Sequence, residues 1–396
     1  MIYIHIPFCE HKCPYCAFNS TAGGGDYARY FAALITQFHH DRARYQREKF
    51  NSVYIGGGTP SFVPAKFYEP LFEAIAPFLA AGAEITIEAN PNSLSFEWAR
   101  ALNGFGANRI SIGVQSFSDE KLRILGRIHT ANQAQNALET AVKAGFNEIS
   151  ADFIYGARND NLRSLTDEVK RAKNCGATHI SAYRLTADKG AAWNESDFAA
   201  AIGEADYELD FAAAIASIGF PRYEVSNYGR NPSRHNLGYW LGNDYLGLGA
   251  GAAGTMKLPE NFAFNHSALY AKSHKEEIAP QVRNLPNRND EKNAWLQTGE
   301  IWERYEPVKS ASEYLKNPLE REVLIVDRAA FNAERVMLML RANDGLGEEI
   351  LNDRQKKRAA ILIAEGVLSR REINGKTRLI NNDLFLADEI YLFLNG

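Results

Sequence analysis

Across the first two hundred residues a single pattern recurs: a short run of β-branched residues, a glycine or polar turn, then a stretch of helical periodicity. The strand-like runs fall at 2–6, 52–55, 84–88, 109–113, 148–154 and 178–183. The helical stretches between them fall at 28–44, 66–79, 96–103, 132–144 and 162–174. Strands separated by helices do not pair as hairpins; they pair in parallel through right-handed crossovers. Six such units predict an α/β fold, a partial TIM-like (β/α)6 barrel, with an open doubly wound sheet as the alternative.

The chain has 396 residues, more than such a barrel uses, and after residue 222 its character changes. From 223 to 256 it is rich in glycine and aromatics, which suggests backbone packed closely against a neighbour. Residues 280–289 hold two prolines and several polar side chains and read as a linker. Beyond them, 329–341 is amphipathic, and 359–365 reads as a helix followed by strands at 368–372 and 377–380 around Asn374-Gly375. Asn-Gly between two short strands is a hairpin signal, and helix plus hairpin outlines a winged-helix-like α+β domain. The expected organisation is therefore a barrel at 1–222, a glycine- and aromatic-rich extension on it at 223–285, and a smaller C-terminal domain at 286–396.

A formal charge of −4 gives no general attraction to nucleic acid. Residues 352–378 carry eight Lys or Arg against three acids, but a solvated face is the usual fate of such a run, and no nucleic-acid partner is expected. No stretch reaches the ~18 apolar residues of a membrane helix. The opening residues lack a basic segment ahead of a long apolar core, so a cytoplasmic chain without a leader is expected.

Three of the four cysteines lie within eight residues, Cys9, Cys13 and Cys16, directly after the first expected strand. A disulfide framework wants an even set spread over a small secreted chain. In a parallel barrel that loop lies at the C-terminal mouth, where active sites are built. Three thiolates there can hold three irons of a cubane cluster, leaving the fourth iron open to a small molecule. The rival is a Cys3His zinc site completed by His5 or His11. The lone Cys175 ends a helical stretch and reads as packing. Gly56, Gly57, Gly58 and Thr59 follow the second strand, and side-chain-free positions there allow a ligand to approach the backbone.

The spacing Cys9-x3-Cys13-x2-Cys16, with Tyr15 before the last cysteine, resembles the radical S-adenosylmethionine superfamily. Further stretches extend the likeness: Tyr3-Ile-His-Ile-Pro-Phe-Cys9, Gly56-Gly-Gly-Thr-Pro-Ser61, Glu88-Ala-Asn-Pro91, Arg109-Ile-Ser-Ile-Gly-Val-Gln-Ser116 and Leu125-Gly-Arg-Ile-His129. Together they look like the branch that contains oxygen-independent coproporphyrinogen III oxidase and the HemW-type heme chaperones. The resemblance implies a 4Fe-4S cluster on Cys9, Cys13 and Cys16, with S-adenosylmethionine chelating the open iron. It implies that Tyr3, Tyr15, Gly57, Gly58, Thr59, Glu88, Gln115, Arg127 and Asp152 line the adenosylmethionine site, with Glu88 accepting from ribose hydroxyls. His235-Asn-Leu-Gly-Tyr-Trp240 matches a His-Asn-x-x-Tyr-Trp motif of the chaperones and implies His235 as an axial heme ligand.

Within the branch, the oxidases place a further cysteine two residues after the third ligand, where this chain has Phe18. They also carry a long segment ahead of the barrel, whereas the first cluster cysteine here is residue 9. Both features argue for a heme chaperone that hands heme to respiratory heme proteins, and against coproporphyrinogen oxidase activity. Contact with a membrane is implied only through such acceptors. Three positions depart from the chaperone pattern: Ala17 replaces an aspartate, Ile154-Tyr-Gly-Ala-Arg158 lacks a proline after the glycine, and Ala253 stands where a histidine is common. A heme-ligand scheme that relies on that last histidine fails here.

Overall fold

The computed structural model describes residues 1–259 and 300–396, apart from Ala187, Glu204 and Asn374. Six parallel strands form its centre: β1 Ile2–Ile6, β2 Phe50–Gly57, β3 Leu79–Ala89, β4 Arg109–Gln115, β5 Glu148–Tyr155 and β6 His179–Arg184. They pair in chain order. Antiparallel β7, Asn227–Gly229, extends the sheet beyond β6, and parallel β8, Leu246–Leu248, extends it beyond β1. The eight strands thus form one open-ended sheet, with helices between the parallel strands, as the sequence pattern predicts.

Strand register separates two chemistries. Ile4, Ile55, Ile87, Ile110 and Ile149 are successive neighbours across the sheet, one apolar row beneath the helices. One residue further along, Glu88, Ser111, Ser150 and His179 are successive neighbours on the opposite face. Side chains alternate along a strand, so every Ile-x-Ile step puts a polar residue inside. The barrel interior is therefore lined with hydrogen-bonding groups, while the apolar core lies between sheet and helices.

Helix ends follow the local sequence. Asp26 caps Tyr27–Arg44, and Thr130 with Gln133 forms a capping box on Ala131–Lys143. The expected single helix at 66–79 is instead a 3-10 turn, the short helix Glu69–Ile75 and a second 3-10 turn at Ala76–Phe78. Pro77 has no N–H to donate and ends the α-helix, so β3 begins at Leu79, five residues before the expected 84.

Three further strands form a separate antiparallel sheet: β9 Gly254–Lys257, β10 Ile301–Pro307 and β11 Arg321–Asp327. The C-terminal part has its own core, including Val336, Leu340, Leu362, Leu379 and Leu394. It packs around β12 Leu346–Gly347, β13 Leu368–Ile373 and β14 Lys376–Asn381, in the order 12-14-13. Ile373 lies opposite Lys376, and Gly375 has φ +72°. Asn374 and the 280–289 segment lie outside the described residues. The helix expected at 359–365 begins six residues earlier, at Asp353, capped by Asn352 with Gln355. Backbone bonds from Val225 N to Arg341 O (3.1 Å) and from Asn343 N to Tyr223 O (2.9 Å) fasten this part to the barrel. Among the described residues no helix is long and apolar enough to cross a membrane.

Candidate functional site

A cavity of about 590 Å³ opens at the C-terminal mouth of the barrel strands. Cys9, Cys13 and Cys16 border it, on the loop that leaves β1. The loop is held at its base. Thr21 N donates to Pro7 O and Gly23 N to Cys9 O, both at 2.8 Å, and Cys16 N donates to Cys13 O at 3.0 Å. The turn after β2 docks on the same stem, with Gly58 N donating to Ile6 O and Thr59 N to Phe8 O, both at 2.8 Å.

That docking needs glycine. Gly57 has φ +118°, a conformation L side chains rarely adopt. A Cβ on Gly58 would lie 2.8 Å from the Phe8 carbonyl oxygen and force the two loops apart. The thiols themselves are unbridged. A hydrogen-bonded chain links the far sides of the loop: Cys9 Sγ lies 3.2 Å from Thr59 Oγ1, and Asn90 Nδ2 donates to the same hydroxyl at 3.0 Å. Arg127 Nη2 donates to Asn90 Oδ1 at 2.8 Å, and its Nη1 points at Cys13 Sγ from 3.5 Å. The donor set suits a cluster held by three thiolates, with a fixed guanidinium beside the sulfur to offset negative charge.

Glu88 and Asp152 face the same space. Tyr54 donates to Glu88 Oε1 at 2.7 Å and Gly57 N to Oε2 at 3.1 Å. Burial, with the Asp152 charge beside it, pushes the Glu88 carboxyl up to about 7, against those two donors. Ser111 donates to both oxygens of Asp152, at 3.0 and 2.9 Å, and burial raises that carboxyl to about 6. Gln115, at the end of β4, has φ +60°, unusual outside glycine. The turn behind it is pinned where Phe117 N donates to Glu168 Oε1 at 2.8 Å. Tyr15 packs near Trp193, ring centres 6.0 Å apart.

Eleven of the thirteen residues singled out in the sequence border this one cavity: the three cysteines, Tyr15, Gly57, Gly58, Thr59, Glu88, Gln115, Arg127 and Asp152. Two do not border it in this structure, Tyr3 and His235. The Tyr3 hydroxyl lies 2.8 Å from His5 Nδ1, while His5 Nε2 lies 2.7 Å from Asn19 O. Burial keeps His5 neutral, so Nε2–H donates to the carbonyl and Tyr3 donates to Nδ1. With both nitrogens used, His5 has no lone pair for zinc.

His235 is 0% exposed. Its Nδ1 lies 2.9 Å from Ser52 Oγ and its Nε2 3.0 Å from the Tyr239 hydroxyl. Burial drives its pKa down to about 3. In this arrangement neither nitrogen is available to an iron, because the motif's own tyrosine and the barrel serine occupy them. Among the cavity residues passed over in the sequence, Asn90 and Tyr54 hold expected site residues in place. Asn90 sits in the quoted Glu88-Ala-Asn-Pro91 stretch, and Tyr54 lies two residues before the glycine turn. The outer rim includes Phe18, 70% exposed, together with Tyr183, Arg341 and Phe385.

The Radical SAM superfamily model matches residues 3–172. Over 272 residues the chain is 36% identical to the heme chaperone HemW of Escherichia coli (strain K12), covering 65% of this chain and 71% of that protein. It is 34% identical over 264 residues to the mitochondrial radical S-adenosyl methionine domain-containing protein 1 of Bos taurus, covering 64% and 60% respectively. The structure of coproporphyrinogen III oxidase (HemN) from Escherichia coli superposes with a TM-score of 0.70, covering 100% of this chain and 89% of that one. At 19% identity that likeness concerns the fold alone.

Proposed function

Because the chain belongs to the radical S-adenosylmethionine superfamily, in its HemN/HemW branch, we propose that it is a heme chaperone that carries a 4Fe-4S cluster and S-adenosylmethionine and passes heme to respiratory heme proteins. The observation that carries the cofactor reading is the convergence of three unbridged thiols, a glycine cradle and two buried carboxylates on one cavity. Relatives named heme chaperone, at 31% to 36% identity, support the chaperone reading.

Cys9, Cys13 and Cys16 would hold the cluster, and when bound there it supplies a one-electron donor with an open iron. The Arg127 guanidinium offsets charge at the Cys13 sulfur and fixes Asn90, which in turn orients Thr59 towards Cys9. Gly57 and Gly58 leave room for the methionyl part of adenosylmethionine, and Gln115 faces the same space. Glu88 and Asp152 accept from its hydroxyl and amino donors, each already oriented by hydroxyls on the far side. Phe18, on the cluster loop where oxidases have a further cysteine, offers no ligand and disfavours the oxidase reaction.

The test is paired. Anaerobically reconstituted protein is given coproporphyrinogen III and adenosylmethionine, and separately is loaded with hemin and mixed with a heme-free b-type acceptor. Transfer of heme without loss of carbon dioxide is expected. Products lighter by two carboxyl groups would establish the oxidase instead.

A further inference from the structure

Beneath the cavity, five groups form a hydrogen-bonded chain with a single direction. Ser233 N donates to the Tyr223 hydroxyl at 3.1 Å, and that hydroxyl lies 2.8 Å from His179 Nε2. His179 Nδ1 lies 2.8 Å from Ser150 Oγ, which donates to Asp152 Oδ1 at 2.9 Å. The two ends fix the sense, since an amide N–H only donates and a carboxylate only accepts. Tyr223 therefore donates to Nε2, His179 carries its proton on Nδ1, and the Ser150 proton goes to Asp152. The chain needs a neutral imidazole. Burial, helped by the Arg109 charge, holds His179 well below its usual range.

Ser150, His179 and Tyr223 are all buried, and none of them borders the cavity; Asp152 does. Ser233 caps the helix Arg234–Trp240, so the chain runs from that helix to the cavity wall. We propose that Tyr223, His179 and Ser150 are positioning residues for Asp152, aiming its carboxylate into the cavity as an acceptor for donor groups of bound adenosylmethionine. The inference rests on the reading of the cavity as an adenosylmethionine site. The charged and titratable groups around Asp152 are Arg109 on β4, Glu88 on β3, Tyr54 on β2, and His179 and Tyr183 on β6.

Ser150→Ala and Tyr223→Phe each delete one hydroxyl and add no volume. They are made singly and together in the reconstituted protein, and adenosylmethionine affinity is measured by equilibrium dialysis between about pH 5 and about pH 8. Each single change should weaken binding about fivefold at neutral pH, the worth of one hydrogen bond. The double variant should lose little beyond a single one, because both cut the same chain. Fewer donors on the anion should also move the low-pH loss of affinity to higher pH. Should Tyr223→Phe fail to fold, Ser150→Ala alone carries this pH test. Losses that multiply, or a pH midpoint that does not move, overturn the proposal while leaving the cavity reading intact. Wild-type protein that takes up no adenosylmethionine overturns the cavity reading and the proposal with it.

Discussion

Cys9, Cys13 and Cys16 share a loop pinned at both ends by backbone hydrogen bonds, so removing one thiol deletes a ligand without releasing the others. Each Cys→Ala variant should fold but retain little iron or sulfide after reconstitution. Full loading in any one of them would contradict the three-thiolate site. Glu88 gives a pH signature. Its folded carboxyl titrates at about 7, above the ordinary 4.5, so the folded state holds that proton more tightly. The resulting stabilisation is present below the unfolded value and is lost as pH rises through about 7. Relative to Glu88→Gln, the wild type should therefore lose stability between about pH 5 and about pH 8, read from urea midpoints at both. A difference that does not change with pH would show that Glu88 is ionised as freely as a surface carboxylate.

The six barrel strands were legible in the sequence because each run is short, rich in β-branched residues and followed by a glycine or polar turn. Their burial on both faces did not hide them, since the inner face is polar and keeps the period of two visible. Two elements were misread for identifiable reasons. Pro77 interrupts an otherwise continuous helical pattern, and the first turns of Asp353–Ala364 carry Arg354, Lys356, Lys357 and Arg358, which mask the apolar stripe. Asn352 with Gln355 caps that helix; Asn352→Ala should cost about 1 kcal/mol in a denaturant titration, and no loss would deny the cap its role. Tertiary partners were beyond the sequence. Nothing local shows that Lys121, on the helix Asp119–Ile124, is buried with Asp160 at 2.7 Å and Glu168 at 3.9 Å. Glu168 in turn holds the turn behind Gln115. Lys121→Ala should destabilise by about 3–5 kcal/mol, leaving buried carboxylates unpaired. Retained stability would mean that the pair is solvated.

At the scale of the whole molecule, the cavity is shared. The barrel supplies the thiols, glycines and carboxylates, and the C-terminal part adds Arg341, Leu384, Phe385 and Asp388 to its rim. His235 stands apart from it, in a helix seated on Glu84, which accepts from the backbone N–H groups of Arg234 and His235, both at 3.0 Å. Opening that helix would forfeit these bonds together with those to Ser52 and Tyr239, several kcal/mol at ordinary hydrogen-bond worth. The histidine motif was legible as sequence; that its own tyrosine and a barrel serine occupy the ring was not. On the proposed function this chain binds heme. That is tested most directly by titrating the anaerobically reconstituted protein with hemin in the Soret band, with His235→Gln alongside. Saturable binding is expected in both proteins, with affinity little changed by the substitution. Binding that vanishes in the variant would place the ligand on an opened helix, and no saturable binding in the wild type would contradict the chaperone outright.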